Sequence, residues 1–126
     1  MSRIGTEHYT YKINRKVFRV NSTNFVKAHK GESYSSIAKL FDLFHGEILA
    51  FNDVKNDHPL VEGERVFIQK KMARSVKGLD KHVISEKCES LWSISQEYGV
   101  RLKSIYRLNR INSSYVPKEG DVIILR

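Results

Sequence analysis

Apolar and polar side chains recur along the chain with a regular spacing, and this spacing predicts its elements. From residue 33 onward the apolar positions fall on one face of a helix, and these positions are Tyr34, Ile37, Ala38 and Phe41. Ser33 stands at the start of this helix, where a hydroxyl can accept a hydrogen bond from an N-terminal amide. A shorter helix is predicted from His45 or Gly46 to Phe51, and short apolar runs at 25–28 and 65–68 predict flanking strands.

The same pattern occurs twice. The segment 30–41 is repeated at 87–98, an offset of 57 that takes Lys30 to Lys87. The offset is expected to hold without a gap in the neighbouring residues, where Val26 matches Val83, Ile48 matches Ile105, Asn52 matches Asn109 and Gly63 matches Gly120. A fixed period over a whole supersecondary unit indicates duplication of that unit. The second copy therefore has predicted strands at 82–85 and 122–125 and predicted helices at 91–98 and 102–108.

These elements predict an α+β fold made of two βααβ units in tandem. In each unit two strands form an antiparallel sheet that both helices cover, because a two-stranded sheet needs such cover to be stable. We expect a leader at 1–24, a first unit at 25–68, a basic linker at 69–81 and a second unit at 82–126. Alternating residues at 9–13 and an apolar run at 17–20 favour a short hairpin in the leader, and a plain connector is the alternative.

Charge is distributed unevenly between these segments. The chain has a formal net charge of +8, and the positive excess lies in the leader and the linker, whereas the two units are close to neutral. Nucleic acid is therefore not the expected partner of the units. The leader and linker leave open an alternative function, which is binding of nucleic acid or an anionic wall polymer. No apolar run approaches the length that spans a membrane.

The sequence shows no catalytic set and no metal motif. Its five histidines have no ligand spacing, so we expect no metal and no other cofactor. Cys88 is the single cysteine, which excludes a disulfide within the chain. A cysteine nucleophile needs a base and an orienting group, and His82 is accompanied by no such group in the sequence. No phosphate-binding glycine loop or nucleophile elbow is present, and we expect that the chain itself is not an enzyme.

Three short motifs in each copy resemble the signatures of the lysin motif (LysM). In the first copy they are Gly31-Glu32-Ser33-Tyr34-x-x-Ile37-Ala38, Phe51-Asn52 and Gly63-Glu64-x-Val66-x-Ile68. In the second copy they are Glu89-Ser90-Leu91-x-x-Ile94-Ser95, Leu108-Asn109 and Gly120-Asp121-x-Ile123-x-Leu125. Cys88 stands where the family usually has glycine. The resemblance therefore implies that the second unit binds less well or differently.

The resemblance also implies where a ligand binds, because LysM domains hold a sugar between the loop before the first helix and the loop before the last strand. In the first unit the candidates are Gly31, Glu32, Ser33 and Tyr34, facing the loop 54–60 with Val54, Lys55, Asn56 and Leu60. In the second unit they are Cys88, Glu89, Ser90 and Leu91, facing Ile111, Asn112, Tyr115 and Pro117. Amides at the helix N-terminus are expected to bond the hydroxyls and carbonyl of an acetamido sugar.

Several of these residues have a structural role as the main alternative. In this alternative Ser33 and Ser90 are helix caps, and Tyr34 and Leu91 are core residues. Asn52 and Asn109, which end the second helices, bond loop backbone through their side chains. Tyr115 is the aromatic residue best placed to contact a sugar, because it lies in the candidate loop itself.

LysM domains usually bind glycans that contain N-acetylglucosamine, and they do so without catalysis. The resemblance thus implies binding of peptidoglycan or chitin-type oligomers, and anchoring of an attached or associated wall protein. It further implies an upstream catalytic domain, as in a cell-wall hydrolase of the glucosaminidase type, and an extracytoplasmic location at the cell wall, in the periplasm or on the cell surface. Residues 1–4 lack the apolar core of an export signal. The abrupt polar start leads us to expect an excised fragment, for which a missing export signal means little.

Overall fold

A computed structural model describes residues 14–85 and 89–126. The chain divides into two units, Met1–Lys70 and Lys71–Arg126, and each unit has its own hydrophobic core. Both units contain the predicted order of a strand, two helices and a strand. In the part of the chain that is described, no helix is long and apolar enough to cross a membrane.

The first unit has three strands and two helices. These are β1 (Phe18–Val20), β2 (Thr23–Lys27), α1 (Tyr34–Leu40), α2 (His45–Phe51) and β3 (Arg65–Phe67). The strands form one antiparallel sheet in the order β1-β2-β3, and Phe25 lies opposite both Phe18 and Phe67. The α+β prediction is confirmed, but this sheet has a third strand because the predicted leader contributes β1. The other half of the predicted leader hairpin, at 9–13, lies outside the described residues.

A two-residue turn joins β1 to β2. Asn21 and Ser22 have φ angles of 52° and 58°, and the flanking residues Val20 and Thr23 are paired. Two consecutive positive φ angles give a turn whose twist matches that of the strands on either side. This tight turn holds β1 against β2, where the rings of Phe18 and Phe25 stack with centroids 5.5 Å apart.

The second unit contains β4 (Lys81–Val83), α3 (Leu91–Tyr98), α4 (Leu102–Asn109) and β5 (Val122–Ile124). Its two strands are antiparallel, with His82 opposite Ile123. The helix α3 ends at Gly99, whose φ of 67° lies in the left-handed region that glycine adopts readily at a helix C-terminus.

Serine caps begin α1 and α3, as the sequence predicts. The Ser33 hydroxyl accepts from the Ser36 amide at 3.2 Å, and the Ser36 hydroxyl accepts from the Ser33 amide at 3.0 Å. Ser90 and Ser93 make the same reciprocal pair of bonds, each at 3.0 Å. A capping box of this kind satisfies two amides that the helix itself leaves without partners.

A single offset does not relate the two units, and this corrects the prediction. In the strand pairing His82, rather than Val83, takes the place of Val26. Ile84 makes the same two backbone hydrogen bonds to the turn before the last strand as Ala28. The offset between corresponding residues of the first strands is 56, since residue 84 corresponds to residue 28. From residue 32 onward the offset is 57, since residue 89 corresponds to residue 32. The loop before α3 is therefore one residue longer than the loop before α1.

Asn52 fastens the end of α2 to β3. Its amide nitrogen donates to Phe67 O at 2.9 Å and to the helix carbonyl four residues earlier at 2.8 Å, and its Oδ1 accepts from Phe67 N at 2.7 Å. Asn109 makes the equivalent three bonds between α4 and Ile124, at 2.9, 2.8 and 2.7 Å. Both asparagines bond backbone, as predicted, but the backbone is that of the last strand and of the helix itself, and the prediction of loop backbone is wrong.

Residues 71–80, which composition predicts as part of a basic linker, pack within the second unit. Lys71 is 2% exposed, and its Nζ donates to Ser95 Oγ at 2.6 Å and to Gln96 Oε1 at 2.5 Å. Ser75 N donates to Leu125 O at 2.8 Å. A buried cation with these bonds belongs to a packed structure, so this segment is a part of the second unit.

Candidate functional site

An open groove of about 310 Å³ lies in the first unit between the loop before α1 and the loop before β3. The groove is lined by Gly31, Glu32, Ser33, Asp57, His58 and Pro59. Backbone contacts tie its two walls together, since Ser33 and Pro59 form an isolated antiparallel bridge and Leu60 N donates to Glu32 O at 3.0 Å. The two walls of the groove are therefore connected through their backbones.

Three of the predicted residues of the first unit, Gly31, Glu32 and Ser33, line this groove, and four from the facing loop do not. Val54 packs against the core and Leu60 is buried in it, whereas Lys55 and Asn56 are exposed outside the lining. The facing wall is formed by residues 57–59, which lie within the predicted loop 54–60 but are not among its named candidates.

Asp57 occupies the place at the start of α1 that the sequence assigned to the sugar. Its Oδ1 accepts from Tyr34 N and its Oδ2 from Ser35 N, each at 3.0 Å, and His45 Nε2 lies 3.1 Å from Oδ2. Burial raises the pKa of Asp57, but the bonds from the two amides and His45 outweigh burial and leave the pKa below its usual value. Asp57 is therefore an ionised cap that joins the facing loop to the helix.

The amides of residues 32–36 all donate within the protein. Besides the two that Asp57 accepts, the Glu32 amide donates to His29 O at 3.1 Å, and the capping box uses the amides of Ser33 and Ser36. These amides are therefore already bonded in the structure, whereas the sequence leads us to expect that they bind a sugar. The residues that line the groove include Glu32, Asp57 and His58.

Tyr34 supports the groove from the core. Its side chain is fully buried, and its ring meets the His58 ring edge-on, with centroids 5.3 Å apart and planes at 90°. Burial raises the pKa of Tyr34, and its hydroxyl makes no hydrogen bond within the described part of the chain. Tyr34 is thus a core residue, as the structural alternative expects, that backs the groove wall at His58.

Glu32 connects three segments of the first unit. Its Oε2 and Oε1 accept from the Arg15 guanidinium at 2.8 and 2.7 Å, and Oε1 also accepts from His29 N at 2.7 Å. The hydrogen bond from Arg15 is the main cause that lowers the pKa of Glu32, against an opposing effect of burial. The sequence pattern did not indicate Arg15, because it lies 17 residues from its partner in the predicted leader.

The loop before α3 in the second unit is built differently. Glu89 accepts from Ser85 N at 2.8 Å, and its Oε2 lies 3.0 Å from His82 Nε2. The Ser85 amide is the main cause that lowers the pKa of Glu89, and His82 adds to it. Ser90 caps α3 and Leu91 is buried, which agrees with the structural alternatives. An imidazole therefore takes the role that a guanidinium has in the first unit.

The facing loop of the second unit bonds to itself. The Tyr115 hydroxyl donates to Asp121, and this bond is the main cause that raises the pKa of Tyr115. Asn112 Oδ1 accepts from Ser114 N at 2.9 Å. The remaining candidates are Ile111, which packs on the core, Pro117, which is half-buried, and Cys88, which lies outside the described residues.

The positions of Asp57 and His58 are occupied by different residues in the second unit. At the offset of 57, Ser114 stands where the first unit has Asp57, and Tyr115 stands where it has His58. A carboxylate has two charged oxygens that can each accept from an amide, whereas a serine hydroxyl has one uncharged oxygen. The two units therefore present different chemistry at corresponding positions.

Within residues 14–85 and 89–126, side chains of metal-binding type cluster at His82, Glu89 and Glu97, whose ligand atoms lie within 4.8 Å of one another. The Nδ1 of His82 lies 2.8 Å from the Tyr98 hydroxyl, and its Nε2 faces Glu89. Both ring nitrogens of His82 thus have hydrogen-bond partners. These hydrogen bonds account for the position of His82 beside Glu89.

The family model of the LysM domain matches residues 27–69 and 87–126, which is more than half of the chain. No curated protein sequence gives a significant match. Solved structures that resemble the chain include the spore cortex-lytic enzyme SleL of Bacillus cereus, at 22% identity and a TM-score of 0.35, over 81% of this chain and 22% of that one. SleL of Bacillus megaterium QM B1551 is 23% identical with a TM-score of 0.34, over 80% of this chain and 22% of that one. This chain therefore spans well under half the length of either enzyme.

The LysM domain is a non-catalytic binding domain that generally binds glycans containing N-acetylglucosamine, and it occurs in cell-wall-associated proteins. The match to its model is found twice, over the two units that the structure separates after Lys70. The chain therefore belongs to the LysM domain family and carries two copies of the domain in tandem.

Proposed function

We propose that this chain binds an N-acetylglucosamine-containing glycan, such as peptidoglycan or a chitin-type oligomer, through the groove of the first unit. The observation that carries this proposal is the position of the groove in a LysM domain, between the loop before α1 and the loop before β3. Its volume of about 310 Å³ is at the lower end of the range for small-molecule sites. The groove therefore suits a short segment of a polymer.

The lining of the groove is rich in hydrogen-bond acceptors. Glu32 and Asp57 are ionised, since both have lowered pKa values, and a carboxylate only accepts hydrogen bonds. Both carboxylates already accept hydrogen bonds within the protein, so the hydroxyls and the acetamide N–H of the sugar are the expected donors to the lone pairs that these internal bonds leave. Pro59 and the His58 ring supply the apolar surface that the CH face of a sugar needs, which is the usual combination in small-ligand sites.

The second unit contributes to the same polymer in this proposal. Glu89, Ser90, Ile111, Asn112, Tyr115 and Pro117 remain its candidate contacts, together with Cys88. Because Ser114 replaces the carboxylate of Asp57, we propose that the second unit binds more weakly than the first. Two linked units still gain affinity for a long polymer, since binding of one raises the effective concentration of the other.

The alternative function, polyanion binding through the leader and linker, loses support. Arg15 of the leader is engaged with Glu32, and its side chain is 8% exposed. Lys71 of the predicted linker is buried. Two of the cations on which this alternative depends are therefore used inside the folded units.

We propose that the chain anchors an attached or associated protein at the cell wall, outside the cytoplasm. Its family occurs in cell-wall-associated proteins. A cell-wall hydrolase of the glucosaminidase type, with its catalytic domain upstream, is the protein that we propose for this role. Within such a protein the two LysM domains themselves would supply binding and no catalysis.

Co-sedimentation with insoluble peptidoglycan tests the proposed function. We expect retention of the chain at both low and high salt, and release by soluble N-acetylglucosamine oligomers. Replacement of His58 by alanine is expected to reduce retention, whereas replacement of Lys55, an exposed residue of the same loop outside the groove, leaves it unchanged. Retention that disappears at high salt and ignores the oligomers would favour the polyanion alternative. No retention at either salt concentration would refute the proposal.

A further inference from the structure

Arg15 lies outside the residues that the LysM family model matches, which begin at residue 27. It precedes β1, and its side chain is nevertheless 8% exposed. Both terminal nitrogens of the guanidinium bond the Glu32 carboxylate, at 2.8 and 2.7 Å, and Nη2 also donates to Lys27 O at 2.9 Å. A bidentate bond of this kind fixes distance and orientation together, which a single contact does not.

Glu32, the partner of Arg15, is part of one wall of the proposed binding groove. Glu32 lines the groove, its carboxylate also holds the amide of His29, and its carbonyl accepts from Leu60 N on the facing side. Glu32 therefore contributes to the arrangement of the two walls relative to each other. Arg15 itself is not among the groove-lining residues.

The third strand explains how Arg15 reaches this place. The turn at Asn21 and Ser22 folds β1 back along β2, and this returns the chain before β1 to the end of β2 at Lys27. From there the guanidinium extends to the loop before α1. The second unit holds Glu89 with His82 from its own strand β4 instead, so the use of an arginine from a preceding segment is a property of the first unit.

We propose that Arg15 is a positioning residue for glycan binding, which holds the Gly31–Ser33 wall of the groove in the arrangement that receives the sugar. The inference rests on the proposed function of that groove. Arg15 acts through Glu32 without touching the ligand, because a wall that is held in place before binding loses less conformational entropy when the ligand arrives. The segment 14–20 is then a functional part of the first LysM unit.

The test measures affinity of the full chain for an N-acetylglucosamine pentamer by isothermal titration calorimetry, at a temperature where circular dichroism shows every variant folded. Arg15→Gln should bind about tenfold more weakly, which corresponds to about 1.4 kcal/mol of lost preorganisation. Arg15→Lys should recover part of the affinity, because lysine keeps the charge but cannot make the bidentate bond. Arg19→Gln, which changes an exposed arginine of β1, is the matched control and should bind like the wild type.

A double variant separates a positioning role from a general loss of stability. If Arg15 acts through Glu32, the variant Arg15→Gln/Glu32→Gln should bind no more weakly than Glu32→Gln alone. Additive losses, or wild-type affinity in Arg15→Gln at a lowered melting temperature, would overturn the positioning role and leave the proposed function standing. If Arg15→Gln does not fold, Arg15→Lys replaces it in the test. Wild-type affinity of Arg15→Lys would then likewise overturn the positioning role. Failure of the wild type to bind the pentamer would overturn both.

Discussion

Asn52 offers a sharp test of how the first unit is held together. Replacement by alanine removes three hydrogen bonds at once, two with the backbone of Phe67 and one with the end of α2. The site is fully buried, so water cannot take the place of the lost amide. Asn109 makes the same three bonds in the second unit, but it is only partly buried, and it is therefore a control with the same chemistry.

The expected loss is large compared with the stability of the unit. A buried hydrogen bond contributes about 1 kcal/mol, and a buried polar group that loses its partner costs about 1–3 kcal/mol. Asn52→Ala should therefore lower the free energy of unfolding by about 3–5 kcal/mol, whereas a unit of this size has about 3–7 kcal/mol in total. For Asn109→Ala we expect about 1–2 kcal/mol, since water can reach the exposed groups.

Urea denaturation followed by two signals resolves the units. The single tryptophan, Trp92, lies in α3, so its fluorescence reports the second unit, whereas far-ultraviolet circular dichroism reports both. Asn52→Ala should produce an early transition in circular dichroism with the tryptophan transition unchanged, and Asn109→Ala should shift the tryptophan transition.

The reasoning would be refuted by either of two results. One is a loss below about 1 kcal/mol in Asn52→Ala, which would mean that the three bonds have little net value. The other is a loss in Asn109→Ala as large as that in Asn52→Ala, which would mean that burial does not set the size of the effect.

Three further perturbations check other parts of the structure. Ile37→Ala removes a fully buried side chain of α1 and should lower the free energy of unfolding by about 2–5 kcal/mol in urea denaturation; a change near zero would mean that this helix face is not core. Tyr115→Ala removes the hydroxyl that bonds Asp121 and should lower the urea midpoint of the tryptophan transition, which an unchanged midpoint would contradict. In the folded protein the pKa values of Glu32 and Asp57 lie below their ordinary values of 4.5 and 3.8. The two carboxylates therefore contribute their full stabilisation at pH values above these ordinary pKa values. The stabilisation is lost as the pH falls through the lower pKa values of the folded state. The urea midpoint of the first unit should accordingly be constant above about pH 6 and decrease below about pH 5, and a midpoint that rises on acidification would contradict this assignment.

Features that depend on near neighbours in the chain were predictable from the sequence. The caps at Ser33 and Ser90 follow from residues three positions apart, and the apolar stripe of each helix follows from its own period. The asparagine at the end of each second helix was predictable because it occurs in both copies. For these elements local chemistry and the final packing favour the same conformation.

The groove depends on contacts between distant residues, and there the sequence was less informative. Asp57 caps a helix that begins 23 residues earlier, and Arg15 bonds Glu32 across 17 residues. Aspartate is a common helix cap, but only the folded loop shows which helix it caps. For the same reason the candidates named in the loop 54–60 were Val54, Lys55, Asn56 and Leu60, whereas residues 57–59 line the groove.

Similarity of side chains led to the wrong register in the first strand of the second unit. Val83 matches Val26 in type, but the strand pairing places His82 there. His82 fits this position because its ring contacts Tyr98 and Glu89. A comparison of hydrophobic positions does not detect polar contacts of this kind. The one-residue insertion in the following loop compensates for the shift.

The central claim is that the first unit binds glycan in the groove between residues 31–33 and 57–59. The most direct measurement is a titration of the ¹⁵N-labelled chain with an N-acetylglucosamine pentamer, followed by amide chemical shifts in NMR spectra. We expect the largest saturable shifts at Gly31, Glu32, Asp57 and His58. Shifts confined to residues 69–81, or no saturable shift in the first unit, would contradict the claim.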